Sequence, residues 1–104
     1  MVDGDDPAPI CLSAQRALLG VIGPSVLGIA LDATGYEARM QVFAEGVLPE
    51  EEEDDFEDAA TEMMADFPEL PVEVSIIREA RQPLEGWAGR WVFLRRGVRV
   101  AQAG

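Results

Sequence analysis

Seven carboxylates, Glu51, Asp54, Asp55, Asp58, Glu62, Asp66 and Glu69, follow one another through the middle of the chain. At such spacing, carboxylates can do three kinds of work. A pair can act as general acid and base, a cluster can hold a divalent cation, and a row can meet a cationic partner. Glycosidase-type chemistry needs a cleft deep enough to raise the pKa of one acid of a pair, and a row along one helix of a short chain offers little cleft. The run Glu50-Glu51-Glu52-Glu53-Asp54-Asp55 lacks the D-x-[DN]-x-[DN]-G-x₅-E calcium loop and its turn glycine. Diffuse attraction of cations is the most it promises.

The other residue types narrow the chemistry further. The sequence holds no His, Lys or Asn, and all eight bases are Arg. Without His there is no neutral-pH imidazole base, no Ser-His-Asp or Cys-His pair and no imidazole metal ligand; without Lys there is neither a Schiff-base nucleophile nor a P-loop lysine. Gly20, Gly23 and Gly28 complete neither G-x-G-x-x-G nor G-x-x-x-x-G-K-[ST] and read as helix-stop and strand glycines. Cys11 is the single cysteine, which excludes an intrachain disulfide and the multi-cysteine zinc sites. It reads as a small core residue in a reducing compartment. The expectation is a protein that is not an enzyme and uses no metal and no cofactor.

Positioning the carboxylates requires a fold. A chain of 104 residues, 48% hydrophobic and 27% charged, has the composition of one small globular domain despite its net charge of −12. Residues 1–11, rich in Asp and Pro, are expected to be a disordered acidic leader, and residues 12–104 a single α+β domain. The leader is acidic where a secretion signal is basic, and the apolar stretch from residue 18 to residue 33 is broken by Gly20, Gly23, Pro24, Ser25, Gly28 and Asp32. Those features predict a cytoplasmic protein with no membrane partner.

Ser13 can cap a first helix with Ala14, Ala17, Leu18, Val21 and Ile22 on one face, stopped by Gly23-Pro24. Leu27, Ile29 and Leu31, then Tyr36, Ala38, Met40 and Val42, alternate around Thr34-Gly35 as a β-hairpin. Its other face carries Glu37, Arg39 and Gln41 and is expected to be wet or used for a partner. From residue 50 to residue 67, Phe56, Ala59, Ala60, Met63 and Phe67 share one arc at about 100° per residue, which predicts a second helix. Met40, Met63 and Met64 read as core fillers. Val72, Val74 and Ile76 mark a third strand, and Arg90-Trp91-Val92-Phe93-Leu94-Arg95-Arg96 a fourth. Helix-strand-strand-helix-strand-strand suits an antiparallel sheet with two helices on one face. Strand order does not follow from it.

In this frame the seven carboxylates lie opposite, or flank, the apolar arc of the second helix. Residues 45–77 hold thirteen acids and no base, whereas residues 78–104 hold six Arg and two acids. Acids four apart, such as Glu51 with Asp55 and Asp58 with Glu62, repel one another on a helix. The helix dipole favours acids in the first turn and does not account for Glu62, Asp66 or Glu69. Two readings stand: a solvated face that aids solubility, or a docking surface for a basic protein. Nucleic acid shares the sign of this face and is not an expected partner. The six C-terminal Arg read as intramolecular counter-ions for the acidic helix. Trp87, in a Gly-flanked loop, is either folded over the core edge or an interface anchor.

Four segments carry a family likeness: Arg16-Ala17-Leu18-Leu19-Gly20, Ala60-Thr61-Glu62-Met63-Met64-Ala65-Asp66-Phe67-Pro68, Ile76-Ile77-Arg78 and Trp91-Val92-Phe93-Leu94-Arg95-Arg96. Together they make the chain resemble the small acidic immunity proteins of bacterial toxin–immunity pairs, including those of contact-dependent growth inhibition. The resemblance implies a cytosolic α+β protein that binds a cognate toxin domain, often a nuclease, and blocks it. A nuclease site must be basic to hold phosphate, and a row of carboxylates can occupy it as a phosphate mimic. Glu51, Asp54, Asp55, Asp58, Glu62, Asp66 and Glu69 are then the expected contacts, with Trp87 as an apolar anchor and a monomer as the free state. The alternative is an acidic chaperone for a secreted effector, a class that usually dimerises around exposed apolar surface.

Overall fold

A computed structural model describes residues 8–33, 36–85 and 90–101. Two helices and four strands follow in the order α1 (Ala8–Ala17), β1 (Val26–Ala33), β2 (Ala38–Ala44), α2 (Glu50–Asp66), β3 (Val72–Ile77) and β4 (Arg90–Leu94). The sheet order is β3-β2-β1-β4. The α+β class, the element order and the placement of both helices on one face agree with the sequence reading.

The wholly antiparallel sheet does not. β1 pairs antiparallel with β2, Leu31 opposite Met40, and with β4, Ile29 opposite Phe93. β2 and β3, however, run parallel, from Ala38 opposite Val72 to Phe43 opposite Ile77. The reason lies between them: α2 carries the chain back along the sheet, so β3 restarts in the direction of β2, as a strand-helix-strand crossover requires. The sheet is therefore mixed.

α1 also begins earlier than expected and takes in residues 8–11 of the expected leader. Pro9 sits in its first turn, where a fixed φ and a missing N–H cost nothing. Ser13 is not a cap but a buried residue inside the helix. The helix ends at Ala17, and Gly20, at φ +78, turns the chain in the left-handed conformation that glycine tolerates. α2 has no side-chain cap at Pro49; the backbone amides of Glu52 and Glu53 donate to the Pro49 carbonyl, and four Glu in the first turn face the positive end of the dipole.

The main core lies between helices and sheet. Ile10, Ala14 and Ala17 of α1 and Phe56, Ala59, Ala60 and Met63 of α2 pack on Ile29, Leu31, Met40, Val42 and Val72. Each large side chain so buried contributes about 1.5–3 kcal/mol. Cys11 is partly buried against this core, and burial raises its thiol pKa above the usual range while Arg90 opposes the shift.

The opposite face of the sheet has a smaller cluster of its own: Leu27, Ala30, Phe43 and Leu84, with Ile77, Ala80, Trp91, Val98 and Val100 around it. Leu27 belongs here, and not with Ile29 and Leu31, because the register shifts between Val26 and Gly28. Residues 80–85 and 95–101 form a strap across this face. The Leu84 amide donates to the Arg99 carbonyl at 2.9 Å and the Ala101 amide to the Leu84 carbonyl at 2.7 Å, which seats Leu84 at 1% exposure. Gly28 leaves room for it: a Cβ there would stand 3.0 Å from both Leu94 Cδ2 and the Trp91 ring.

Candidate functional site

The apolar arc of α2 is fully satisfied by the core, so the rest of its circumference faces outward. Glu51, Asp54, Asp55, Asp58, Glu62 and Asp66 are all exposed along it, and Glu69 is exposed in the turn that follows. Glu57 joins them.

Two acids of the helix are already engaged. Asp66 accepts a 2.6 Å hydrogen bond from Ser13 Oγ and faces Arg16 Nη2 at 3.3 Å. It ties α2 to α1 and is half withdrawn from any docking role. Glu53, which the sequence did not single out, holds Arg78 Nη2 at 2.7 Å. Among the described residues, Glu51, Asp54, Asp55, Asp58, Glu62 and Glu69 form no ion pair, so six of the seven remain free, five of them on α2 itself. Trp87 lies outside the described residues.

The C-terminal arginines do not neutralise this helix, contrary to the sequence reading. Of the six, Arg78 alone reaches α2 among the described residues; Arg95 bonds Glu45 Oε2 at 2.8 Å and the Pro24 carbonyl at 3.0 Å. Arg81, Arg90, Arg96 and Arg99 form no ion pair among the described residues. The strap holds Arg81 and Arg99 on the face of the sheet away from α2. The negative field of α2 is therefore not cancelled locally.

The hairpin's polar face behaves differently along its length. Arg39 pairs with Glu73 Oε2 at 3.9 Å near its turn. Gln41, on the face expected to be wet or used for a partner, is only 3% exposed, and its Oε1 has no hydrogen-bond partner among the described residues. The strap covers it. The signal was present in the sequence, because Phe43 shares the face with Arg39 and Gln41 and an aromatic there calls for cover.

Among the described residues no three Cys, Asp or Glu side chains converge on a metal-sized site, and no helix is long and apolar enough to cross a membrane. A small α+β domain with an uncompensated acidic helix has the form of a protein-binding module. A family model described as MafI2 immunity protein matches residues 7–97. The chain belongs to that family: it is a toxin-immunity protein, and its partner is a toxin. Proteins of this kind are generally non-catalytic. The match gives the toxin-immunity class and does not single out the contact-dependent growth-inhibition type. No curated protein matches the chain.

Proposed function

We propose that this protein neutralises its cognate toxin in the cytoplasm by laying the outer face of α2 on a basic surface of the toxin, as a non-catalytic, monomeric inhibitor. A nuclease is the toxin class that this face fits, because a phosphate-binding site presents the cations that Glu51, Asp54, Asp55, Asp58 and Glu62 can meet. The observation that carries the reading is that those five carboxylates along one helix have no ion-pair partner among the described residues. Keeping five like charges together costs helix stability, and a docking role accounts for that cost. Asp66 and Glu69 lie at the margin of the contact.

The test is the double reversal Asp58→Arg with Glu62→Arg, followed by association kinetics with the toxin domain over a range of salt. Steering by a one-signed face accelerates encounter by about 10–1,000-fold at low ionic strength. The wild type should associate fast and slow steeply with salt, and the variant should lose most of both. An unchanged rate and salt slope would exclude α2 as the contact.

A further inference from the structure

On the face of the sheet away from α2, a cleft of about 320 Å³ opens between β2, β3 and the strap. Phe43, Ile77, Ala80 and Pro83 make apolar walls, Gln41 lies among them, and Arg81 and Glu85 stand exposed at the rim. Phe43 is held against the Trp91 ring, centroids 5.4 Å apart, so that wall is fixed.

Gln41 sets this cleft apart from a packing defect. An amide 97% withdrawn from solvent normally has its oxygen bonded, and here Oε1 has no partner among the described residues. The terminal torsion of Gln is soft and roughly two-fold, so the amide can turn either its oxygen or its NH₂ to an arriving group. The best occupant is apolar along its body and carries one group at its tip that both donates and accepts. It is also neutral, since one Arg and one Glu at the rim cancel. A tyrosine side chain has those properties, and aromatic anchors in such pockets carry much of the energy of protein interfaces.

The geometry points to this cleft as a second contact on the toxin, receiving a neutral, hydroxyl-bearing aromatic side chain whose phenol completes the bonding of Gln41. The inference rests on the toxin being the partner and is independent of α2 being the contact. Both surfaces adjoin β3, an edge strand on which α2 packs, so one bound domain can straddle that edge.

Gln41→Leu separates this role from a structural one. It removes an unpaired buried amide and should raise the melting temperature of the free protein while weakening binding of the cognate toxin domain about tenfold, through faster dissociation with an unchanged salt slope. Ala80→Phe, which fills the cleft, should weaken binding similarly. The α2 reversal alters the on-rate and salt slope instead, so failure of either contact is recognised apart from the other. Normal toxin affinity in both cleft variants would overturn the inference. A probe without toxin checks the chemistry: N-acetyl-tyrosinamide should shift the amide resonances of Gln41, Ile77 and Ala80, and N-acetyl-lysinamide should not. Equal shifts with both probes, or none with either, would overturn the stated occupant.

Discussion

The two faces of the sheet solve the same problem unequally. Beneath α1 and α2 the face is closed by regular elements and every large side chain is apolar. On the other face a strap made of two irregular segments covers Leu27, Ala30 and Phe43 and leaves Gln41 Oε1 without a hydrogen-bond partner among the described residues. The first face is where folding free energy is concentrated. The second is less well saturated and therefore freer to serve recognition, since unsatisfied groups cost stability that a partner can restore.

The sharpest way to break this contrast is to make equivalent cavities on the two sides. Phe56→Ala, in the closed core, should cost about 3–5 kcal/mol, a large part of the 5–15 kcal/mol typical of a small domain. Urea unfolding would measure it. Leu84→Ala should cost less, about 2–3 kcal/mol, because the strap can collapse onto the space. Phe56→Ala removes the larger side chain, so a cost for Leu84→Ala as high as that for Phe56→Ala would mean that the strap face is at least as tight as the closed one. Gln41→Leu should reverse the sign: relief of the unpaired amide is worth about 1 kcal/mol, or a rise of roughly 4–8 °C in Tm by scanning calorimetry.

Smaller effects sharpen the picture on the helix side. Glu62→Lys turns its repulsion by Asp58 into attraction and should stabilise the domain by about 0.5–1 kcal/mol in low salt, fading as salt is added. Cys11 has its thiol pKa raised by burial, so at pH 8 it should react with iodoacetamide more slowly than free cysteine. The raised value favours the thiol in the folded state. Its small stabilising share is present below the ordinary thiol pKa and is lost as pH rises through the folded one.

Period and punctuation made most of the fold legible. α2 was readable from Phe56, Ala59, Ala60 and Met63 between Pro49 and Pro68, and β3 from Val72, Val74 and Ile76, because a single face of each is buried. Features that depend on distant partners were not. Ser13 looks like a cap until Asp66 is brought beside it. Leu27 looks like a partner of Ile29 until a bulge sends it to the other face. The parallel pairing of β2 with β3 was implied by the intervening helix, yet two alternating runs look the same in either direction. At the candidate site, the acidic face was written in the sequence as charge without counter-charge. For Gln41 the sequence held only the hint of Phe43 on its face; what covers it depends on Leu84 and Val100 meeting across the strap.

That among the described residues Arg78 alone of the C-terminal arginines reaches α2 has a consequence for encounter. With the carboxylates of α2 on one side of the sheet and Arg81 and Arg99, set against the single Glu85, on the strap, the molecule carries a dipole moment as well as a net charge. If the toxin docks on α2 as proposed, a cationic domain approaching from solution feels a torque before it touches, and the immunity protein turns to present α2 within about a Debye length of 8 Å at physiological salt. Orientation would then be chosen before any contact is made, and collisions on the arginine side discouraged without any steric device.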